Sequence, residues 1–448
     1  MSTPPLLEIP EILLLVAHFL PQCTLLSCTS VSKLWYQTLR PLAWQEVHLG
    51  RFASRQPFLK TVLKHKDYIK SLHISSNSFQ DSSLSPQTWK TVLQLHNIQS
   101  LLIEKVSFEE EYSIYCLWDL CERVERLEWS LVFIASKSDL ESRSFSHIRE
   151  LHLNGDFTGF DEVHVMSQCP NLQSLVWPSG LYWGKPIDRF VQLAAKGTWP
   201  ALESITKANY RTSDDQQALV LGSMRRVTGW SARVFGPKSF QVLRGHWATI
   251  KTLELSMCRS SATTAMLQEI LTSCPLLEQL QWGLAHAADL VSDRPWACTR
   301  LRTLKMSVMF RHDENESLQP LLFERLSELT ALEMLDLGKP PIASTWEDAD
   351  DEGNNNDDTA STLANGIIPF KQSVDLRVGR GLEKLATMRS MRVLFFQDTT
   401  QQMSRNDVAW MLTHWPKLRA VNGKLNLDDD ILYDLSMLLA RTGVCYYK

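Results

Sequence analysis

Residues 277–282 read LEQLQW: an aliphatic residue, two variable ones, a second aliphatic, one variable residue and a further apolar one. The same spacing opens IKSLHI at Ile69, IQSLLI at Ile98, VERLEW at Val124, IRELHL at Ile148, LQSLVW at Leu172, IKTLEL at Ile250, LRTLKM at Leu301, LEMLDL at Leu332 and MRVLFF at Met391. Poorer copies begin at Leu202, Met224 and Leu418. Each copy makes sense as a short strand, because Leu-x-Leu alternation puts two apolar side chains on one face and the variable ones on the other. Most neighbouring starts lie about 22 to 31 residues apart, the period of a repeat array. Between copies run helical patterns such as TTAMLQEILTSCP and NDVAWMLTHWP. A Cys-Pro or Trp-Pro pair often closes the helix: Cys169-Pro170, Trp199-Pro200, Cys274-Pro275 and Trp415-Pro416. Proline cannot continue a helix and biases its predecessor to extended geometry, so the chain turns back there. Strand, helix and turn repeating at this length predict a curved solenoid with parallel strands on its concave face, an α/β fold.

This portion, residues 65–445, resembles the cysteine-containing leucine-rich repeats found behind F-boxes. At the ladder position, where that family places Asn or Cys, Asn77 and Cys258 fit, while Val106, Val132, Asp156 and Met309 depart from it.

The N-terminal stretch LEIPEILLLVAHFLPQCTLLSCTSVSKLWYQTLRPLAW has another rhythm. From Glu11, apolar residues fall at Ile12, Leu13, Val16, Phe19 and Leu20, the spacing of one helical face. Pro10 suits the first turn of that helix and Pro21 ends it. Thr24 is positioned to cap a second helix through Leu25, Leu26 and Cys28, and Ser30 or Ser32 a third carrying Leu34, Trp35 and Leu39. Residues 6–50 resemble the F-box in register at Ile12, Leu13, Val16, Phe19, Leu20, Leu25, Val31 and Trp35. Ile9-Pro10-Glu11 is one residue shorter than the family's opening, and Thr24 replaces its usual acidic residue. The resemblance implies a three-helix module that docks a Skp-type adaptor and, through it, a cullin-RING ubiquitin ligase. The docking residues it implies are Pro10, Ile12, Leu13, Val16, Leu20, Leu25, Val31 and Trp35. Of these, Val16, Val31 and Trp35 are expected to turn inward to form the module's small core.

The chain has 448 residues, 44% of them apolar, and a net charge of −4. No apolar run reaches membrane-spanning length, and Glu8 and Glu11 stand where a secretory leader carries basic residues. A cytoplasmic or nuclear chain is therefore expected. Nine cysteines at irregular spacing form no zinc or disulfide pattern, and twelve histidines are dispersed. Neither a nucleophile elbow, an HExxH helix nor a phosphate loop is present. The expectation is a chain that is not an enzyme and needs no cofactor, metal, nucleic acid or membrane. If the strands line one wall, its outward positions include His73, Arg126, Glu128, Glu150, His152, Glu254, Gln281, Lys305 and Asp336. That polar, mixed-sign wall suits a protein client. The resemblance thus implies a substrate receptor. The alternatives are a non-ligase scaffold whose helices only cap the repeats, or an enzyme built on convergent titratable groups at the strand ends.

TWEDADDEGNNNDD, residues 345–358, carries seven acidic side chains and no basic one. It reads as a disordered insertion spanning about 345–360. Without it the remaining charge is near +3, too little for a nucleic-acid-binding domain. The segment SVDLRVGRGLEKLATM that follows is expected to hold one more strand and helix. Deleting Asp348 to Asp358 should leave the thermal unfolding midpoint nearly unchanged; a large drop would show that the acidic segment is structural.

Overall fold

The computed structural model describes residues 9–50, 55–76, 84–134, 143–154, 162–177, 185–206, 213–232, 234–255, 262–291, 294–310, 315–338, 374–397, 399 and 401–447. The acidic insertion, Asn77, Asp156 and Cys258 lie outside them. The chain divides into two compact units, Met1–Leu202 and Glu203–Lys448, so the division falls inside the repeats.

The first unit opens with three helices: α1 (Pro10–Ala17), α2 (Gln22–Cys28) and α3 (Lys33–Ala43). Pro10 sits in the first turn of α1 as expected. Pro21 is the N-cap of α2, so Thr24 lies inside that helix and does not cap it. Ser32 caps α3, accepting a hydrogen bond from the Trp35 N–H.

Strands β1 (Glu46–Leu49), β2 (Ser71–Ser75), β3 (Ser100–Glu104), β4 (Ser107–Phe108), β5 (Arg126–Ser130), β6 (Phe133–Ile134), β7 (Glu150–Asn154) and β8 (Ser174–Val176) follow. β1, β2, β3, β5, β7 and β8 pair in that order, all parallel. The register sets Val47, Leu72, Leu101, Leu127, Leu151 and Leu175 side by side. All are buried, the leucines completely. After β3 and β5 the chain turns through Lys105 and Leu131 at φ 56° and 53°. Those turns bury Val106 and Val132 at the ladder position, where valine fills the core in place of a hydrogen-bonding side chain. β4 and β6 then form their own parallel pair.

The second unit carries β9 (Ser204–Thr206), β10 (Gly229–Ser231), β11 (Thr252–Leu255), β12 (Gln279–His286), β13 (Thr303–Met309), β14 (Met334–Asp336), β15 (Val393–Phe395), β16 (Ala420–Asn422) and β17 (Cys445–Tyr447), paired in chain order and parallel. Ile205, Trp230, Leu253, Leu280, Leu304, Leu335, Leu394 and Val421 form its fully buried row. One carbonyl per turn accepts two N–H groups from the next repeat: Lys251 from Glu278 and Gln279, Glu278 from Arg302 and Thr303, and Arg302 from Glu333 and Met334. The backbone is thus satisfied repeat by repeat. The chain is a leucine-rich-repeat α/β fold with one strand face buried and the other solvent-accessible.

The copy expected at Met224 is out of register by three, since its strand opens two residues after Val227. Met224 belongs to a buried column three residues ahead of the strand-opening aliphatic, with Cys274, Cys298, Leu329, Met388 and Trp415. Leu95, Cys121, Phe145, Cys169 and Trp199 hold the equivalent place in the first unit. The Cys-Pro and Trp-Pro signals are this column followed by a turn.

The strand and helix expected within SVDLRVGRGLEKLATM are replaced by irregular chain and two short 3-10 turns, Val378–Arg380 and Leu382–Thr387. Buried side chains supply the hydrogen bonds a strand neighbour would have supplied. Gln319 donates to the Asp375 and Arg380 carbonyls at 2.8 and 2.7 Å and accepts from the Asp375 N–H at 2.8 Å. Gln401 accepts from the Leu376 N–H and donates to the Val374 carbonyl, and Asp407 accepts from the Val378 N–H. Gly381 has φ 102°, and a Cβ there would meet the Pro320 Cα at 3.2 Å. Leu280→Ala should cost about 2–5 kcal/mol. Urea unfolding checks this, and a loss below about 1 kcal/mol would show that the leucine row is not the main core.

Candidate functional site

Helix α1 is apolar on two faces. Leu13 and Ala17 are buried and pack with Leu25 of α2 and with Leu39 and Ala43 of α3; Leu20 and Trp35 lie half-buried against this cluster. The other stripe is Ile12, Leu15, Val16 and Phe19, at spacing i, i+3, i+4, i+7. Phe19 is 87% exposed, Leu15 62% and Val16 41%. Leu26 of α2 and Val31, between α2 and α3, are exposed as well. A helix that is apolar all round is ordinarily enclosed, and large apolar side chains left in water together mark a contact surface.

The expected division of labour holds for Trp35, which packs against the core cluster, and fails for four other residues. Val16 and Val31 were assigned to the core and are exposed, whereas Leu13 and Leu25, assigned to docking, are buried. The cause is helical phase: with α1 starting at Pro10, residues 13, 17 and 20 share the inward side. Pro10 is exposed and Ile12 half-buried. Leu15, Phe19 and Leu26 are absent from the sequence-based docking set; for Leu15 and Phe19 the i+3 and i+7 spacing from Ile12 is the available signal.

The module is joined to the first repeat by specific contacts. Trp44 stacks on His65 with ring centroids 4.3 Å apart, and the Arg40 guanidinium lies 4.8 Å from the Tyr68 ring centre and donates to its hydroxyl. Gln22 donates to the Glu46 carbonyl. His65 is buried, and burial, followed by the Arg40 and Lys64 charges, holds its imidazole below the usual value.

All the expected wall residues lie on the accessible strand face. In the first unit, Arg126 is 3.6 Å from Glu128 and 3.7 Å from Glu150, and His152 is 3.4 Å from Glu128. Asn154 donates to Glu128 at 3.1 Å. His73 stands apart from this group, beside His48 at 2.8 Å between ring nitrogens and 3.6 Å from Glu104. Its pKa is lowered by burial and then by His48, against the raising effect of Glu104 and Glu46. Glu46, His48 and Glu104 are further wall residues; β1 lacks the Leu-x-x-Leu signature that marked the other strands.

In the second unit Glu254, Gln281, Lys305 and Asp336 stand side by side on β11, β12, β13 and β14. Burial raises the Asp336 carboxyl, opposed by the Gly338 N–H and Lys305. Phe395 and Asn422 continue that row on β15 and β16. In the first unit the wall's charges are therefore largely paired with one another, and partly exposed pairs of this kind contribute little stability and yield readily to a partner.

Among the described residues, no set of three or more His, Cys, Asp or Glu can hold a metal ion, and no helix is long and apolar enough to cross a membrane. Burial pushes the Cys274 and Cys298 thiols up to about 12, which keeps both protonated and poor as nucleophiles. A cleft of about 340 Å³ at the starts of β5, β7 and β8 is lined by Glu125, His147, Arg149, Asn171 and Gln173, all exposed.

No protein-family model matches the chain, and neither does any curated protein. Among solved structures it is similar to an internalin from Listeria monocytogenes, at 12% identity over 88% of this chain and 92% of that one, with a TM-score of 0.41. It is also similar to a leucine-rich-repeat protein of Leptospira interrogans, at 11% identity over 87% and 98%, with a TM-score of 0.30.

His65 and His73 both have lowered folded-state values, so stability is complete above the unfolded imidazole range and is lost as pH falls through it. The thermal midpoint should therefore be lower at pH 5.5 than at pH 7.5, and His65→Phe, which keeps a ring on Trp44, should reduce that difference. A midpoint flat over this interval would remove the histidine explanation.

Proposed function

We propose that the chain is a substrate-receptor subunit of a Skp-cullin-F-box ubiquitin ligase. Helices α1–α3 dock the Skp-type adaptor, and the accessible strand face holds a protein client. The observation that carries this reading is the exposed stripe of Ile12, Leu15, Val16 and Phe19, set on a module whose core is already filled by the opposite stripe. Supporting it is the F-box-like register of residues 6–50. Within this reading Ile12, Leu15, Val16, Phe19, Leu26 and Val31 form the docking surface, edged by Pro10, Leu20 and Trp35, while Leu13 and Leu25 act through the module's fold.

The receptor does no chemistry of its own. It holds a client beside a charged conjugating enzyme, converting a bimolecular encounter into an effectively intramolecular one. A mixed-sign wall suits that task, because its charge pattern selects a partner and sets its register more than it raises raw affinity.

A second reading is favoured by the Trp44–His65 stack and the Gln22 contact: the helices cap the array of a non-ligase scaffold. Caps are required at the ends of repeat arrays, and these contacts are of the kind a cap makes. The exposed Phe19 supports the first reading, since a cap ends in a polar outer face.

Co-expression with a Skp-type adaptor, followed by size-exclusion chromatography with light scattering, tests the proposal. A stoichiometric complex is expected, and Leu15→Asp with Phe19→Asp should weaken it at least about 100-fold with little change in thermal midpoint. Leu25→Ala should instead lower the stability of the module itself. A folded chain that forms no complex would favour the cap.

A further inference from the structure

His48 on β1 and His73 on β2 are register partners on the accessible face. Their rings meet at a centroid distance of 4.7 Å and an angle of 67°, with Nδ1 facing Nδ1 at 2.8 Å. Only one proton fits between two nitrogens at that distance, so one ring donates and the other accepts. The flanking groups decide which. His48 Nε2 lies 3.0 Å from Glu46 Oε1, a hydrogen-bonding distance that places a proton on that nitrogen. His48 Nδ1 is then the bare acceptor in the neutral ring. His73 must supply the proton from its Nδ1, which leaves its own Nε2 bare. That nitrogen is buried without a hydrogen-bond partner, and the nearest carboxylate oxygen, Glu104 Oε2, is 3.6 Å away.

We propose that His48 and His73 form a proton-operated latch between β1 and β2 that stays closed through the first protonation and opens on the second. The first proton goes to His73 Nε2, where it faces Glu104, and the Nδ1–H to His48 is retained. The second takes the lone pair of His48 Nδ1. Two N–H groups then face each other, and the rings separate, each beside its own carboxylate. The charged and polar groups around the pair are Glu46 on β1, Ser71 and Ser75 on β2, and Glu104 with the following Lys105 at the end of β3; Lys105 is held by Glu104 at 3.3 Å. β1 follows α3 directly, so the latch fastens the strand that joins the helical module to the repeats. It stands independently of the receptor reading.

The test is the two-bond ¹H–¹⁵N histidine spectrum of the full ¹⁵N-labelled chain, with His48→Gln and His73→Gln used to assign the two rings. At pH 7.5, His48 should be the Nε2–H tautomer and His73 the Nδ1–H tautomer. On acidification the pair should titrate in two steps set further apart than the single midpoints of the His48→Gln and His73→Gln chains. A His73 found as the Nε2–H tautomer at pH 7.5 would overturn the latch. So would two wild-type steps no further apart than those single midpoints, measured in variant chains of unchanged thermal midpoint. Should either variant not fold, the wild-type tautomers alone decide.

Discussion

Most repeats depend on one buried apolar side chain, usually leucine, at the fourth position of the motif and in register with its counterpart on the next strand. Leu253, Leu280, Leu304, Leu335 and Leu394 are fully buried, yet each is buried only because its neighbours are present. A strand of three residues with one such side chain has no independent stability; a row of them removes apolar area from water continuously. The shared carbonyl at each strand entrance, as at Lys251 and Glu278, imposes the same constraint on the backbone. Apolar contact and polar satisfaction therefore advance together, one repeat at a time, and irregular repeats survive as long as both are met.

Where the pattern fails, the protein substitutes polar side chains for it. The chain from Val374 to Val378 makes no regular strand, and its backbone groups are taken up by Gln319, Gln401 and Asp407. The bonds to Gln319 and Gln401 are buried, so leaving any one of them unmade would cost about 1–3 kcal/mol. Asp214 does comparable work at the helix Pro237–Leu243, accepting from the Gly236, Lys238 and Ser239 N–H groups. Burial opposes its ionisation, but the hydrogen bonds from Ser239, Lys238 and Gly236 prevail and lower its pKa.

The accessible surfaces have two distinct characters. The strand wall is polar and internally paired, as at Arg126, Glu128, Glu150 and His152. The helical module presents bare apolar side chains, Phe19 foremost. The first surface suits adjustable, charge-guided contact and the second suits burial; under the proposed reading they are the client-holding and the docking surface respectively.

Much of this was legible in the sequence. Leu-x-x-Leu spacing located the strands, because period-two alternation and a fixed repeat length have few other physical readings, and the wall residues followed from the same alternation. Helical spacing likewise located the apolar residues of α1. Sequence could not divide that helix into inner and outer stripes, since both are equally apolar and only the packing of Leu25, Leu39 and Ala43 selects the side that turns inward. It could not distinguish Met224 as a column residue from a strand opener, because an apolar residue fits either place. Nor could it pair His48 with His73, which lie 25 residues apart and meet only through the β1–β2 register. Local periodicity is written along the chain, whereas burial and proton sharing belong to neighbours in space, and only the tertiary structure supplies those.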